Sequence, residues 1–120
     1  MTAELATSVR QPSLAAELAG LRTAFTVAEI AEIAGSTTRS AQNWVAGRNV
    51  PDTRTQDRLV RAAYAVELLS DVFHSEGVRI WFHKPQRVFG HRRPLDLLVE
   101  GRFGEINEAI DRLAGGPRLP

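Results

Sequence analysis

The chain lacks cysteine altogether and carries only one methionine and, among fifteen basic side chains, only one lysine, Lys84. Without cysteine it has no disulfide framework, no thiolate metal site and no cysteine nucleophile, and a reducing cytoplasm is the expected setting. Long apolar runs are missing too, so nothing approaches the roughly 20 residues needed to span a bilayer, and no membrane partner is expected. Met1 to Arg10 holds no uninterrupted apolar core, and Glu4 stands where a secretory signal would place positive charge. Histidine is scarce as well. The spacing of His74, His83 and His91 matches no recurrent metal or hydrolase pattern, and Gly101-Arg-Phe-Gly104 lacks the lysine and the strand–turn–helix setting of a phosphate loop. The sequence therefore predicts no enzyme, no catalytic residue, no metal and no cofactor.

What remains is the composition of a folded soluble protein, with 43% hydrophobic and 24% charged residues. At 120 residues the chain suits one compact unit, or two very small helical units sharing a core. The formal net charge of +1 matters less than where the arginines lie. Arginine suits bidentate contacts to phosphate and guanine, although genome base composition explains the bias equally well.

Helical spacing dominates, and the predicted fold class is all-α. Ser13 can cap a first helix with Leu14, Leu18 and Leu21 on one face. Thr26-Val-Ala-Glu29 is a capping-box pattern that starts a second helix near Val27, and Gly35 is placed to end it. A third helix is expected from Thr38 to Ala46, stopping at Gly47, with Pro51 barring continuation. Thr53 and Gln56 offer a second capping box for the longest helix, whose apolar spacing continues from Leu59 to Phe73 until Ser75-Glu-Gly77 interrupts it. That interruption sets the expected boundary between an N-terminal region, 1–76, and a C-terminal region, 77–120. Val78 to Phe82 suits a strand by content and a helical turn by brevity, and helix is preferred. Pro85 and Pro94 are both placed at first positions of short helices, with a turn at Gly90, and a last helix runs from Phe103 to Ala114.

Two short helices about a tight turn form a DNA-reading unit when the first braces the backbone and the second enters the major groove. Ala31, Gly35 and the inward set Ile30, Ala34, Ala41 and Trp44 meet its packing needs. Phe25 to Pro51 resembles the helix-turn-helix of the phage-repressor-like Xre family, including the Trp44, Gly47 and Pro51 tail. The resemblance implies that Thr37, Thr38, Arg39, Gln42 and Asn43 face the groove of operator DNA, where arginine can chelate guanine and the amides can chelate adenine. Arg48, Arg54 and Arg58 would hold phosphates. A solvated face of an ordinary bundle is the plain alternative for this set.

Trp81, Phe82, Phe89, Leu95, Leu97, Leu98, Phe103, Ile106, Ile110 and Leu113 form an apolar set too large for so short a segment to bury alone, so packing on the fourth helix or on another chain is expected. Arg92 and Arg93 oppose the dipole of the helix starting at Pro94, which suggests an external contact or simple solvation. Trp81-Phe-His-Lys-Pro85 and Gly90-His-Arg-Arg-Pro94-Leu-Asp96-Leu97-Leu98 resemble the toxin-binding domain of the MbcA/ParS/Xre antitoxins, over about Gly77 to Gly115. This implies a cognate RES-domain toxin that degrades NAD, a homodimer or larger hetero-oligomer with Trp81, Phe82, Phe89, Leu95 and Leu98 in its dimerisation region or core, and repression of the chain's own operon. The implied toxin contacts are Arg92, Arg93, Arg112 and the tail Gly115, Gly116, Pro117, Arg118, Leu119 and Pro120. A free-standing homodimeric regulator without a toxin, and a structural adaptor, are the competing readings.

Overall fold

A computed structural model describes residues 14–115. These form seven α-helices: α1 (Leu14–Arg22), α2 (Val27–Ala34), α3 (Thr38–Val45), α4 (Thr53–Ser70), α5 (Ser75–His83), α6 (Pro94–Val99) and α7 (Phe103–Leu113), with a 3₁₀ turn at Arg87–Phe89. The all-α expectation holds among the described residues, and Val78 to Phe82 is helical. Ser13 lies outside the described residues.

The start of α2 follows its sequence signature. Glu29 N–H donates to Thr26 Oγ1 at 3.1 Å, and Thr26 N–H donates to Glu29 Oε1 at 2.9 Å. Gly35, at φ 74°, then turns the chain left-handed, which lets Ser36 N–H close on the Ala31 carbonyl at 2.9 Å.

Three boundaries differ from expectation. The cap of α4 is Asp52, not Thr53: its Oδ1 accepts from Thr55 N–H at 2.8 Å, while the Gln56 amide turns back to the Pro51 carbonyl. The carboxylate, as the stronger acceptor, takes the first turn one residue early. Helix α4 ends at Ser70, before the apolar spacing runs out at Phe73, and Ser75-Glu-Gly77 opens α5 instead of breaking a helix. A Cβ on Gly77 would meet Phe73 Cβ at 3.1 Å, so this glycine sits where α5 presses on the turn. Pro85 ends α5 and starts no helix; it holds Lys84 extended, as proline does to the residue before it. Pro94, by contrast, is the first residue of α6.

Helix α4 is the central element, packing against α1, α2, α5 and α7. One apolar core runs from Leu18 to Ile110. An edge-to-face aromatic chain, Phe25–Phe82 at 5.1 Å, Phe82–Trp81 at 5.1 Å and Trp81–Phe89 at 6.3 Å, continues it from the α1–α2 connection to the 3₁₀ turn.

Arg58 joins the halves of the chain. Its Nε donates to the Ile33 carbonyl at 2.8 Å, and its Nη2 donates to the carbonyls of Val99 at 2.9 Å and Leu98 at 3.4 Å. The guanidinium thus supplies donors to carbonyls at the C-terminal ends of both α2 and α6, Leu98 sharing its oxygen with Gly101 N–H, where positive charge is also favoured by the helix dipole. It lies 5.7 Å from the Phe103 ring centroid, and a Cβ on Gly101 would come within 2.9 Å of its Nη1. The expected phosphate contact of Arg58 is corrected accordingly, because the side chain is occupied inside the fold.

Replacing Arg58 with alanine is expected to lower unfolding free energy by about 2–3 kcal/mol, the scale of hydrogen bonds to a charged group. Lysine should recover less than half, because a point charge cannot fork to two helix ends. The urea midpoints of the two variants check this.

Candidate nucleic-acid interface and partner-binding region

Helix α3 lies against α2 and α1 through Ala41 and Trp44, both buried, and this fixes which face it turns outward. Thr37, Thr38, Arg39 and Gln42 are exposed. Thr37 also caps α3, accepting from Ser40 N–H at 3.1 Å and donating to Ser40 Oγ at 3.0 Å. Among the described residues, no hydrogen bond or ion pair engages the side chains of Thr38, Arg39 or Gln42. With spacing i, i+1 and i+4, they form one polar patch on the first two turns of the helix. Asn43 stands half-buried beside it, its Oδ1 held by Arg48 Nη1 at 3.1 Å. Arg54 is exposed on the first turn of α4, with the Asp52 carboxylate nearby.

The C-terminal region is more self-sufficient than its apolar content suggested. Trp81, Phe82, Leu95, Leu97, Leu98, Phe103, Ile106 and Ile110 are all buried within a single chain, where α7 and α5 pack on α4 and α6 packs on α2, α5 and α7. Phe89 is half-buried and Leu113 exposed. Trp81, Phe82, Leu95 and Leu98 are therefore core residues, covered by α4 on one side and by the mutual packing of α2, α5, α6 and α7 on the other.

Arg92 and Arg93 find carboxylates of their own chain. Arg92 pairs with both oxygens of Glu100, and Arg93 reaches Asp96 at 2.7 Å. Asp96 also accepts the Arg93 backbone N–H at 3.1 Å. Arg93 beside it therefore holds the Asp96 carboxyl below its ordinary range, and Arg92 likewise depresses Glu100. Arg102 extends the network to Glu105 at 2.6 Å. Arg112 is exposed and only loosely placed, 3.9 Å from Glu108. Of the expected tail contacts, Gly115 closes the described chain, and Gly116, Pro117, Arg118, Leu119 and Pro120 lie outside the described residues.

One contact between the halves has no sequence signal. His83 on α5 places Nε2 at 3.0 Å from both oxygens of Glu29, the capping residue of α2, and Nδ1 at 2.7 Å from the Arg79 carbonyl. Both ring nitrogens face acceptors, the Arg79 carbonyl on one side and the Glu29 carboxylate on the other. Burial pushes the Glu29 carboxyl up, but the Thr26 N–H and His83 outweigh it and hold the group below its ordinary value. At 54 positions' separation, nothing in the residue pattern marks the pair.

This arrangement has close counterparts among known proteins. The antitoxin Xre/MbcA/ParS C-terminal toxin-binding domain matches residues 68–116. The mycobacterial cidal antitoxin MbcA of Mycobacterium tuberculosis is 32% identical over 95 residues, which cover 79% of this chain and 84% of that protein. The chain belongs to the Xre/MbcA/ParS antitoxin family. A probable mycobacterial cidal antitoxin of the same organism is 30% identical over 91 residues, covering 76% of this chain and 77% of the relative. The crystal structure of the M. tuberculosis MbcT–MbcA toxin–antitoxin complex superposes with a TM-score of 0.75 and 30% identity, over 91% of this chain and all of that one. As a family member the chain is an antitoxin of a toxin–antitoxin system and not an enzyme. No helix among the described residues is long and apolar enough to cross a membrane.

The depressed Glu29 group makes a prediction of definite sign. Because its folded value lies below the ordinary 4.5, its carboxylate stabilises the fold fully above that value and loses its contribution as pH falls through the folded one. Glu29→Gln is therefore expected to be less stable than the native chain at about pH 6, with the two urea midpoints converging in acid below the ordinary carboxylate range.

Proposed function

We propose that this antitoxin neutralises a RES-domain, NAD-degrading toxin in the cytoplasm by direct binding through its 68–116 region and terminal residues, and that two copies repress the chain's own operon through α3. The observation that carries the DNA half is the free polar patch of Thr38, Arg39 and Gln42 on a recognition helix braced by α2. Arginine can take guanine N7 and O6, and glutamine can take adenine N6 and N7, which is the chemistry of major-groove readout. Thr37, Arg48 and Arg54 flank the patch, where phosphates would pass, and Asn43 reaches a base by exchanging its Arg48 contact. A single recognition helix covers a half-site, so a second copy is needed to read an operator.

The toxin half is supported by family membership and by the solved complex of its relative. Arg112 and Gly115 to Pro120, together with the paired Arg92 and Arg93, are the residues proposed to meet the toxin. Arg118 is the group suited to an anionic-substrate pocket. The most informative experiment expresses the chain with its neighbouring reading frame, measures the mass of the purified complex and follows cellular NAD. A stable complex that spares NAD supports the reading. A free antitoxin homodimer that binds DNA and no toxin favours the independent regulator.

Arg39→Ala and Gln42→Ala are each expected to lower preference for operator over random duplex by about 1–3 kcal/mol while leaving toxin capture and helix content unchanged. Competition binding at fixed salt measures this, and rising salt should weaken every duplex alike. Removing Gly115 to Pro120 should leave operator binding intact and weaken protection of NAD.

A further inference from the structure

We propose that the rim formed by Ile80, Lys84 and the 3₁₀ turn Arg87–Phe89 is a docking face for a segment of the toxin that carries an apolar side chain flanked by carboxylates. This rests on the toxin-binding reading above and assigns it a surface apart from the chain's terminal residues.

The first observation is a charge imbalance. From α5 to α7, Arg79, Arg92, Arg93, Arg102 and Arg112 each meet a carboxylate of the same chain. Lys84 and Arg87 are exposed and, among the described residues, have no such partner. The second observation is apolar exposure. Within the described part of the toxin-binding match, the exposed large apolar side chains are Ile80 at 48%, Val88 at 59% and Leu113 at 45%, and two of the three belong to this rim. Ile80 and Lys84 also line an open groove of about 290 Å³ with Phe73, Gly77, Trp81 and Gln86. Such a groove can seat one apolar side chain, with Lys84 in its lining and Arg87 next in sequence to its lining residue Gln86.

The rim is built to hold its shape. Gln86 Nε2 donates to the Trp81 carbonyl at 3.2 Å, Phe89 packs edge-on to Trp81, and Gln86 N–H pairs with the Arg92 carbonyl at 2.9 Å. Gly90 and His91 close this loop in left-handed conformations, at φ 66° and 67°. That conformation is one an L side chain such as His91 adopts only against a steric penalty. A surface fixed in advance loses little conformational freedom on binding.

Complementarity selects the occupant. Carboxylates would meet Lys84 and Arg87, and an apolar side chain would cover Ile80, which a phosphate backbone cannot do. A second copy docking the same rim about a two-fold axis would gather four cations, two from each copy, in one interface to which the rim itself brings no carboxylate.

The test uses two variants of the full chain, Lys84→Glu/Arg87→Glu and Ile80→Arg, each expressed with the neighbouring toxin. Both alter exposed side chains, and the urea midpoint and operator affinity should stay at the native values. Toxin affinity is expected to fall about tenfold or more in each, with the charge-reversed pair losing most of the salt dependence of capture. If the native chain holds the toxin and both variants hold it equally well, the docking face is wrong and the functional reading survives. If the variants instead change self-association measured by sedimentation without toxin, a second copy covers the rim and the proposal is overturned. Should the native chain hold no toxin, the functional reading fails and takes the docking face with it.

Discussion

The guanidinium of Arg58 is the contact on which the arrangement of this antitoxin depends. A helix leaves its last carbonyls without partners, and here two helices from opposite halves, α2 and α6, point those carbonyls at one cation on α4. Arginine can serve both at once because its donors fan out in a plane, and Gly101 leaves the space it needs. The result ties the end of the brace helix, one residue before the turn that aims α3, to the end of the helix at the heart of the toxin-binding match. His83 and Glu29 make a second tie at the opposite end of α2.

With α2 fixed at both ends, the two proposed surfaces become properties of one core. Helix α3 is oriented by Ala41 and Trp44 packing inward, which leaves Thr38, Arg39 and Gln42 free. The C-terminal helices bury their aromatic and leucine side chains against α4, α2 and one another and still leave Ile80 and Val88 exposed, with Lys84 and Arg87 unpaired among the described residues. The two surfaces sit on different elements, α3 on α1 and α2, and α5 on α4 and α6.

Local signals in the sequence carried much of this. The Thr26–Glu29 box, the turn at Gly35, the Pro94 start and the outward placement of Thr38, Arg39 and Gln42 all act within a few residues, where hydrogen-bond chemistry and helical spacing suffice. Adjacent competitors blurred the start of α4, where Asp52 and Thr53 can both cap and the carboxylate wins. Spacing also overran the end of α4, since Phe73 keeps the apolar phase after the backbone has turned. The least legible features were the long-range ones. Arg58 looked like one of several surface arginines because the carbonyls it serves lie 25 to 41 positions away. Arg92 looked unpaired because Glu100 lies across the start and length of α6. The cover for the C-terminal apolar set, expected from the fourth helix or from another chain, could not be assigned because the reach of α4 over α7 is a tertiary fact.

The claim beneath all of this is that the N-terminal and C-terminal halves of the described chain open and close as one body. Native-state hydrogen exchange on the free antitoxin measures that directly. The account predicts that the slowest amides of α2, α4, α6 and α7 share one opening free energy, equal to that of global unfolding. Slow amides in α6 and α7 that open at a distinctly lower free energy than those of α2 and α4 would contradict it, showing two units joined only by the chain.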